Sequence, residues 1–345
     1  MSLCNLSCQH PNVWDTVNQA RSVFDICFVL SPASLIHKSR LLSRPPLFSA
    51  QISVKSPPTT VKMRVLSLGV LVSLLSSSVS AWNAPIYSDL RLVWQDAFAG
   101  TLGSAPDAGR WNYITNINVN NELQRYTTDS RNRQLSGGET LQIVPWHTNN
   151  EWTSGRIESK YTFTPAYGTV TVGEARIRFG DNPISQKKGI WPAFWLLGDS
   201  LRSGTPWPQC GEIDILETVN GALTGYGTVH CDVYPGGICN EPSGLAGTTG
   251  IPDQGWHTWR VQFDRRAGSW RDETITWFLD GQQFSQLNGA RIGNEGVWNS
   301  LCHSPLYFIL NLAVGGTFPG NPDGNTLDGY GSMMEVGYVA HYVGI

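Results

Sequence analysis

Residues 211–221 read GEIDILETVNG and set three carboxylates, Glu212, Asp214 and Glu217, in a run of strand-forming residues with no lysine or arginine among them. Along a strand alternate side chains share a face, so Glu212 and Asp214 project together, and Leu216 rather than Glu217 is next in phase. One extra residue, a β-bulge at Ile215-Leu216, returns Glu217 to the face of the other two. Clustered carboxylates repel, which lifts at least one pKa and keeps that group protonated near neutral pH. A carboxylate beside a carboxylic acid is the equipment of retaining glycosidic cleavage: one attacks the anomeric carbon, the other protonates the leaving oxygen, roughly 5 to 5.5 Å away. At ~3.3 Å per step the Cα atoms of residues 212 and 217 lie roughly 13 Å apart, so the side chains must lean inward. A calcium loop is the competing use of such acids, but the segment lacks the Gly, Asn and Asp density of those loops.

The elements that must hold this cluster are strands. From Trp82 onward, Gly, Pro, Asn and Asp punctuate segments rich in Val, Ile, Thr, Tyr, Phe and Trp, the rhythm of an all-β sandwich. Strands are expected at 139–145, 154–163, 168–179, 189–197, 210–219, 226–233 and 305–316. The clearest hairpin lies in WHTWRVQFDRRAGSWRDETITWFLDGQQF, where Trp259, Val261 and Phe263 alternate, then Ile275, Trp277 and Leu279, with a turn at Asp280-Gly281. Alternation assigns Trp259 and Trp277 to the core. No window shows a sustained helical period, and neither linker nor repeat divides residues 82–345, which reads as one domain.

Composition bounds the partners. The chain has 345 residues, 41% hydrophobic and 15% charged, enough to bury a substantial core. Lysine and arginine number 24 against 27 acidic residues, so no basic excess favours nucleic acid or an anionic membrane. Residues 63–81, MRVLSLGVLVSLLSSSVSA, have the order of a secretory signal peptide, too short in their apolar run to span a bilayer, and the mature protein is expected to begin near Trp82. Residues 1–62 then read as a non-native or disordered extension, with translation starting at Met63. The expected product is secreted, extracellular and monomeric, without stable membrane insertion. Beyond the signal four cysteines remain, Cys210, Cys231, Cys239 and Cys302, which allow three pairings of two disulfides. Cys231 with Cys239 around DVYPGGI is preferred, leaving Cys210 with Cys302, and no C-x-x-C spacing suggests metal.

At the acidic strand the sequence resembles glycoside hydrolase family 16, whose laminarinase-like branch carries E-[ILV]-D-x-x-E on a bulged strand. Other segments match in order: NNELQRYT (120–127), SGRIESK (154–160), GIWPAFWLLG (189–198), GTVH (227–230), WFLDGQQF (277–284) and ILNLAVGG (309–316). The resemblance covers residues 90–343 and implies a concanavalin A-like jelly roll of two packed antiparallel sheets with the substrate cleft on the concave face. It implies Glu212 as nucleophile, Glu217 as general acid and base, and Asp214 between them, hydrogen-bonded to the nucleophile. His230 in GTVH is implied to reach the same cluster from the next strand; by itself a His followed by Cys reads as a packed core residue. Sugar rings stack on aromatic faces, so Trp191, Trp195 and Trp207 are expected as subsite platforms. Asn121, Glu122, Gln124, Arg156 and Asn311 are expected polar contacts.

The family also supplies a structural calcium site from D-E-F near the first strand and an Asp in the last. Here those stretches read VWQDAFAG, with Ala97 in place of the Glu, and MMEVGYVAHYVGI, without the Asp, so no metal or cofactor is expected. The bulged motif implies endo-hydrolysis of β-1,3-glucan, possibly mixed β-1,3(4)-glucan, by the secreted, fungal-type branch. The insert HCDVYPGGICNEPSG beside the acidic strand leaves β-1,3-galactan open. A cell-wall transglycosylase and a non-catalytic β-glucan-binding protein of the same fold are the rival readings.

Overall fold

Apolar residues alternate with polar ones along most strands, and burying each apolar face against the other yields two antiparallel sheets. The computed structural model describes residues 82–345; the extension 1–62, the signal-like segment 63–81 and Cys4, Cys8 and Cys27 lie outside the described residues. The inner sheet has seven strands, in the order Leu245–Gly250, Thr224–His230, Glu212–Glu217, Ile190–Gly198, Leu306–Val314, Arg156–Phe163 and Trp111–Tyr113. The outer sheet has eight, running from Gln282–Asn288 through Thr274–Leu279, His257–Asp264, Val170–Phe179 and Met334–Gly344 to Leu141–Ile143 and Arg133–Leu135. Leu90–Asp96 joins it by pairing with Met334–Gly344. The fold is the expected jelly roll.

The acidic strand sits near the middle of the inner sheet, bulged as the spacing requires. Against Ile190–Gly198, Asp214 pairs with Trp195 and Leu216 with Phe194, so Ile215 is the extra residue. Against Thr224–His230, Asp214 pairs with Thr228 and Glu217 with Tyr226, three steps against two. Ile213, Ile215 and Leu216 are all fully buried in the core, which the extra residue permits without turning Glu217 away from the acidic face. Parity sorts the neighbouring strand likewise: Ile190, Phe194 and Leu196 enter the core, while Trp191, Ala193, Trp195 and Leu197 line a cleft.

On Thr224–His230 the core-facing positions 225 and 227 are glycines because the outer sheet presents indoles there. A Cβ at Gly227 would lie 2.5 Å from Trp277, and one at Gly225 would lie 2.3 Å from Trp259. Trp277 and Trp259 are buried, as alternation assigned them. The Asp280-Gly281 turn has φ of 49° and 79°, left-handed at both residues, as a tight hairpin needs.

Two expectations are corrected. An eight-residue helix, Glu295–Cys302, is present, capped by the Asn294 side chain, which accepts from the Val297 N–H at 3.2 Å. Two turns are too short for a helical period to rise above the strand pattern. The second disulfide is not formed: Cys231 and Cys239 are bonded, but Cys210 and Cys302 are free and buried. Cys210 packs with Leu197, Tyr307 and Ile309, whereas Cys302 belongs to the main core, so each thiol is sealed into a different cluster. Burial pushes the Cys210 thiol up to about 12.

Candidate active site

Glu212, Asp214 and Glu217 line one cavity of about 360 Å³ together with Trp191, Trp195, Trp207, Glu122, Arg156 and Asn311. A second, of about 460 Å³, shares Trp191, Trp207, Glu212 and Glu217 and continues past Tyr226, His230 and Phe318. The carboxylates thus stand where two hollows of a single groove meet. A cleft with aromatic walls and acids at its centre suits a chain of sugar rings.

Each acid has its own surroundings. Glu217 accepts from Trp191 Nε1–H at 2.8 Å. Burial, with a smaller push from the charge of Glu212, lifts its pKa to about 7 against the opposing Trp191 hydrogen bond and the charge of His230. Glu212 accepts from Trp207 Nε1–H at 3.2 Å. Its pKa is raised by burial, and the positive charges of His230 and Arg156 oppose the rise. Asp214 is raised well above the usual carboxylate range, first by burial and then by Glu217 and Glu212 on either side. Its Oδ2 is buried without a hydrogen-bond partner among the described residues.

His230 stands opposite, with Nε2 3.5 Å from Asp214 Oδ2 and 3.9 Å from Glu212 Oε1. Burial alone would lower its pKa. The hydrogen bond that His230 donates to Glu241, with the charges of Glu212, Asp214 and Glu241, outweighs burial and raises it to about 10. Glu212, Asp214 and His230 bring potential ligand atoms within 4.8 Å of one another. Each ring nitrogen of His230 thus faces acid, Glu241 at Nδ1 and Glu212 with Asp214 at Nε2.

A second network forms the wall of the first hollow. Trp195 Nε1–H donates to Asn311 Oδ1 at 2.7 Å, and Asn311 Nδ2 donates to the Tyr126 hydroxyl at 3.1 Å. Glu122 accepts from Gln124 Nε2 at 2.6 Å and from Asn120 Nδ2 at 3.2 Å. Arg156 lies over the Trp195 ring at 4.8 Å and pairs with Glu158 at 2.7 Å. Trp207 meets His230 at 5.7 Å and Tyr234 of the disulfide-closed insert at 5.9 Å between ring centroids.

Of the expected contacts, Trp191, Trp195, Trp207, Glu122, Arg156, Asn311 and His230 line the groove. Two do not. Asn121 is exposed and donates to Thr317 Oγ1 at 3.2 Å, and its neighbour Asn120 takes the lining position. Gln124 is buried beneath Glu122, with its Oε1 accepting from the Val314 N–H at 2.7 Å. Asn120 and Asn121 have left-handed backbone, which breaks the parity that a strand running through 120–124 would have imposed. Tyr226, Phe318, Tyr126 and Glu241 were missed. Tyr226 shares the parity of His230 in YGTVH and was legible from that; Phe318 lies in an irregular loop, where no period points to it.

Comparisons agree with this geometry. The family model described as the XgeA-like, catalytic GH16 domain matches residues 102–246. The chain is 31% identical over 289 residues to a β-glucanase of Rhodothermus marinus, covering 81% of this chain and 92% of that protein. It is 30% identical over 290 residues to glucan endo-1,3-β-glucosidase A1 of Niallia circulans, covering 77% of this chain but only 39% of that longer protein. The endo-1,3-β-glucanase structure from Streptomyces sioyaensis superimposes with a TM-score of 0.71 at 32% identity, over 75% of this chain and 99% of that one.

Proposed function

We propose, since the chain belongs to glycoside hydrolase family 16, that it is an endo-acting retaining glycosidase cleaving β-1,3-linked glucan, with mixed β-1,3(4)-glucan as a further substrate. The carrying observation is the bulged strand that brings Glu212, Asp214 and Glu217 to one point of an aromatic groove, with Glu217 titrating near neutrality. In this reading Glu217 protonates the glycosidic oxygen while Glu212, ionised beside His230, attacks the anomeric carbon. The C–O bond to the leaving sugar breaks as the glycosyl–Glu212 ester forms. Glu217, now deprotonated, takes a proton from water, whose oxygen displaces Glu212 and restores both groups.

Asp214, held protonated first by burial and then by the charges of Glu217 and Glu212, adds no second negative charge beside the nucleophile. Trp191, Trp195 and Trp207 are the sugar platforms, and Glu122, Arg156 and Asn311 the hydroxyl contacts. The two hollows share Trp191, Trp207, Glu212 and Glu217 and so extend to both sides of the acids, which suits internal cleavage. Secretion is supported by the Cys231–Cys239 disulfide and the signal-like 63–81 segment. No helix among the described residues is long and apolar enough to cross a membrane. Residues 82–345 are then the mature catalytic domain, acting as a monomer on cell-wall polysaccharide.

The test is incubation with laminarin, lichenan, β-1,3-galactan and xyloglucan followed by product sizing. Glu212→Gln and Glu217→Gln are each expected to lower hydrolysis of laminarin by at least ~10³-fold with unfolding midpoints unchanged. Retention of most activity by either variant overturns the assignment. Products longer than the donor identify transfer, and binding without products identifies a recognition protein.

A further inference from the structure

One buried carboxylate beside the groove has no part in the chemistry above. The Glu241 side chain is wholly shielded from solvent, and its Oε2 lies 2.7 Å from His230 Nδ1. Its Oε1 accepts the backbone N–H of Cys231 at 2.8 Å. Both oxygens are therefore committed at the junction where the strand ending in His230 gives way to the insert. A buried carboxyl group is costly unless hydrogen-bonded, and these two contacts engage both of its oxygens.

The insert holds Glu241 from several sides. Cys231 and Cys239 close it by a disulfide across a separation of eight residues. Gly236 and Glu241 exchange backbone hydrogen bonds of 2.8 and 2.6 Å, and Asp232 Oδ2 accepts from the Ile238 N–H at 3.0 Å. The carboxylate is thus placed by chain closure rather than by a flexible side chain.

A histidine's two nitrogens are linked through its ring: the partner at one decides what the other carries. With a carboxylate on Nδ1, that nitrogen keeps its proton, and Nε2, facing the Glu212 carboxylate and Asp214, is protonated too. The groups that face the ring are Glu241 from the insert, Glu212 and Asp214 from the acidic strand, and the Trp207 indole. Arg156 is the one other cation acting on Glu212 among the described residues.

We propose that Glu241 is a positioning residue: locked by the disulfide-closed insert, it holds His230 as an imidazolium whose Nε2–H is turned toward Glu212 and Asp214. The contacts of His230 with Glu241, Glu212 and Asp214 stand on geometry; their consequence for turnover rests on the glycosidase reading. The imidazolium keeps Glu212 ionised against burial, and its charge outweighs the weaker direct repulsion that Glu241 exerts on Glu212. Without Glu241 the ring loses its proton in the working range, and Glu212 then holds its own proton to higher pH. The acidic limb of the activity profile, set by ionisation of the nucleophile, must therefore move upward.

Glu241→Gln separates this role from simple packing, because the amide oxygen still accepts from Cys231 while the charge is gone. The variant is expected to shift the acidic limb of kcat on laminarin up by about one pH unit and to lower kcat about tenfold at pH 6 with KM little changed. In a His230→Gln background it is expected to add no further loss, since it acts through the ring. Glu241→Asp, which keeps the charge, is expected to leave the limb in place. An unmoved limb in Glu241→Gln, or full additivity with His230→Gln, overturns the proposal.

NMR titration of the His230 imidazole in the full chain needs neither substrate nor a folded variant. The proposal requires a value well above an ordinary histidine in the wild type, and a value near 6.5 overturns it. If His230 titrates high while the wild type cleaves no glucan, the positioning role stands and the glycosidase reading falls.

Discussion

At Glu217 two influences oppose each other: burial lifts the carboxyl to about 7, while the Trp191 N–H at 2.8 Å favours the ionised form. The sign of a change is therefore fixed in advance. A general acid must be protonated, so activity is expected to fall as pH rises through about 7. Trp191→Phe keeps a stacking ring but removes the donor, which destabilises the carboxylate. The basic limb of kcat is expected to move up by roughly one pH unit, given what a hydrogen bond to a charged group contributes. A pH–rate profile of the variant with the limb unchanged or lower contradicts this origin of the shift. The upward direction of the shift was legible in GEIDILETVNG from mutual repulsion, but its larger cause, burial, was not, because that depends on how the sheets close. The Trp191 and Trp207 donors were not legible as donors: stacking platforms were expected, and only the fold showed that their indole nitrogens reach Glu217 and Glu212.

The acidic strand as an element depends on one inserted residue. Deleting Ile215 turns E-I-D-I-L-E into E-I-D-L-E and makes the register regular against both neighbours, two steps against two from Asp214 to Glu217 on each side. Parity then still places all three carboxylates in the groove. The deletion is expected to retain measurable glucan hydrolysis with altered linkage preference. It is also expected to cost ~2–4 kcal/mol of stability from the lost buried isoleucine. Inserting an alanine after Ile215 instead either keeps the bulge and turns Glu217 toward the core, or relaxes to a regular strand and carries Glu217 ~6.6 Å farther from Glu212, and in both cases hydrolysis is expected to vanish. Activity assays on the two variants, with denaturant unfolding of each, decide the matter; equal loss in both means that the bulge does more than set parity. Sequence spacing alone demanded this bulge. It could not show that Ile215 and Leu216 would both be buried, since that depends on what the outer sheet presents beneath them.

For the whole molecule, the tie between the sheets passes through Trp277, whose Nε1–H donates to the Asp214 backbone oxygen at 2.7 Å beneath Gly227. Core packing and the position of the acidic strand are thereby one problem. Trp277→Phe loses that bond and leaves a small void, and ~2–4 kcal/mol of destabilisation is expected in urea unfolding with the slope unchanged. A loss under ~0.5 kcal/mol means that the sheets hold the strand without it. Several features belong only to this scale. Phe318 meets Tyr226 and Trp191 from a distant loop, Tyr126 joins Trp195 through Asn311, and Cys210 and Cys302 stay apart because opposing faces of the fold enclose them. By itself the sequence determined the strands, the parity of the acids with their bulge, the local Cys231–Cys239 pair and the indoles of the core, because each follows from geometry within a few residues. Tertiary structure alone decided which side chains stand behind His230, which tryptophans hydrogen-bond to the acids and which cysteines remain thiols, because those contacts join segments brought together only when both sheets close over one core.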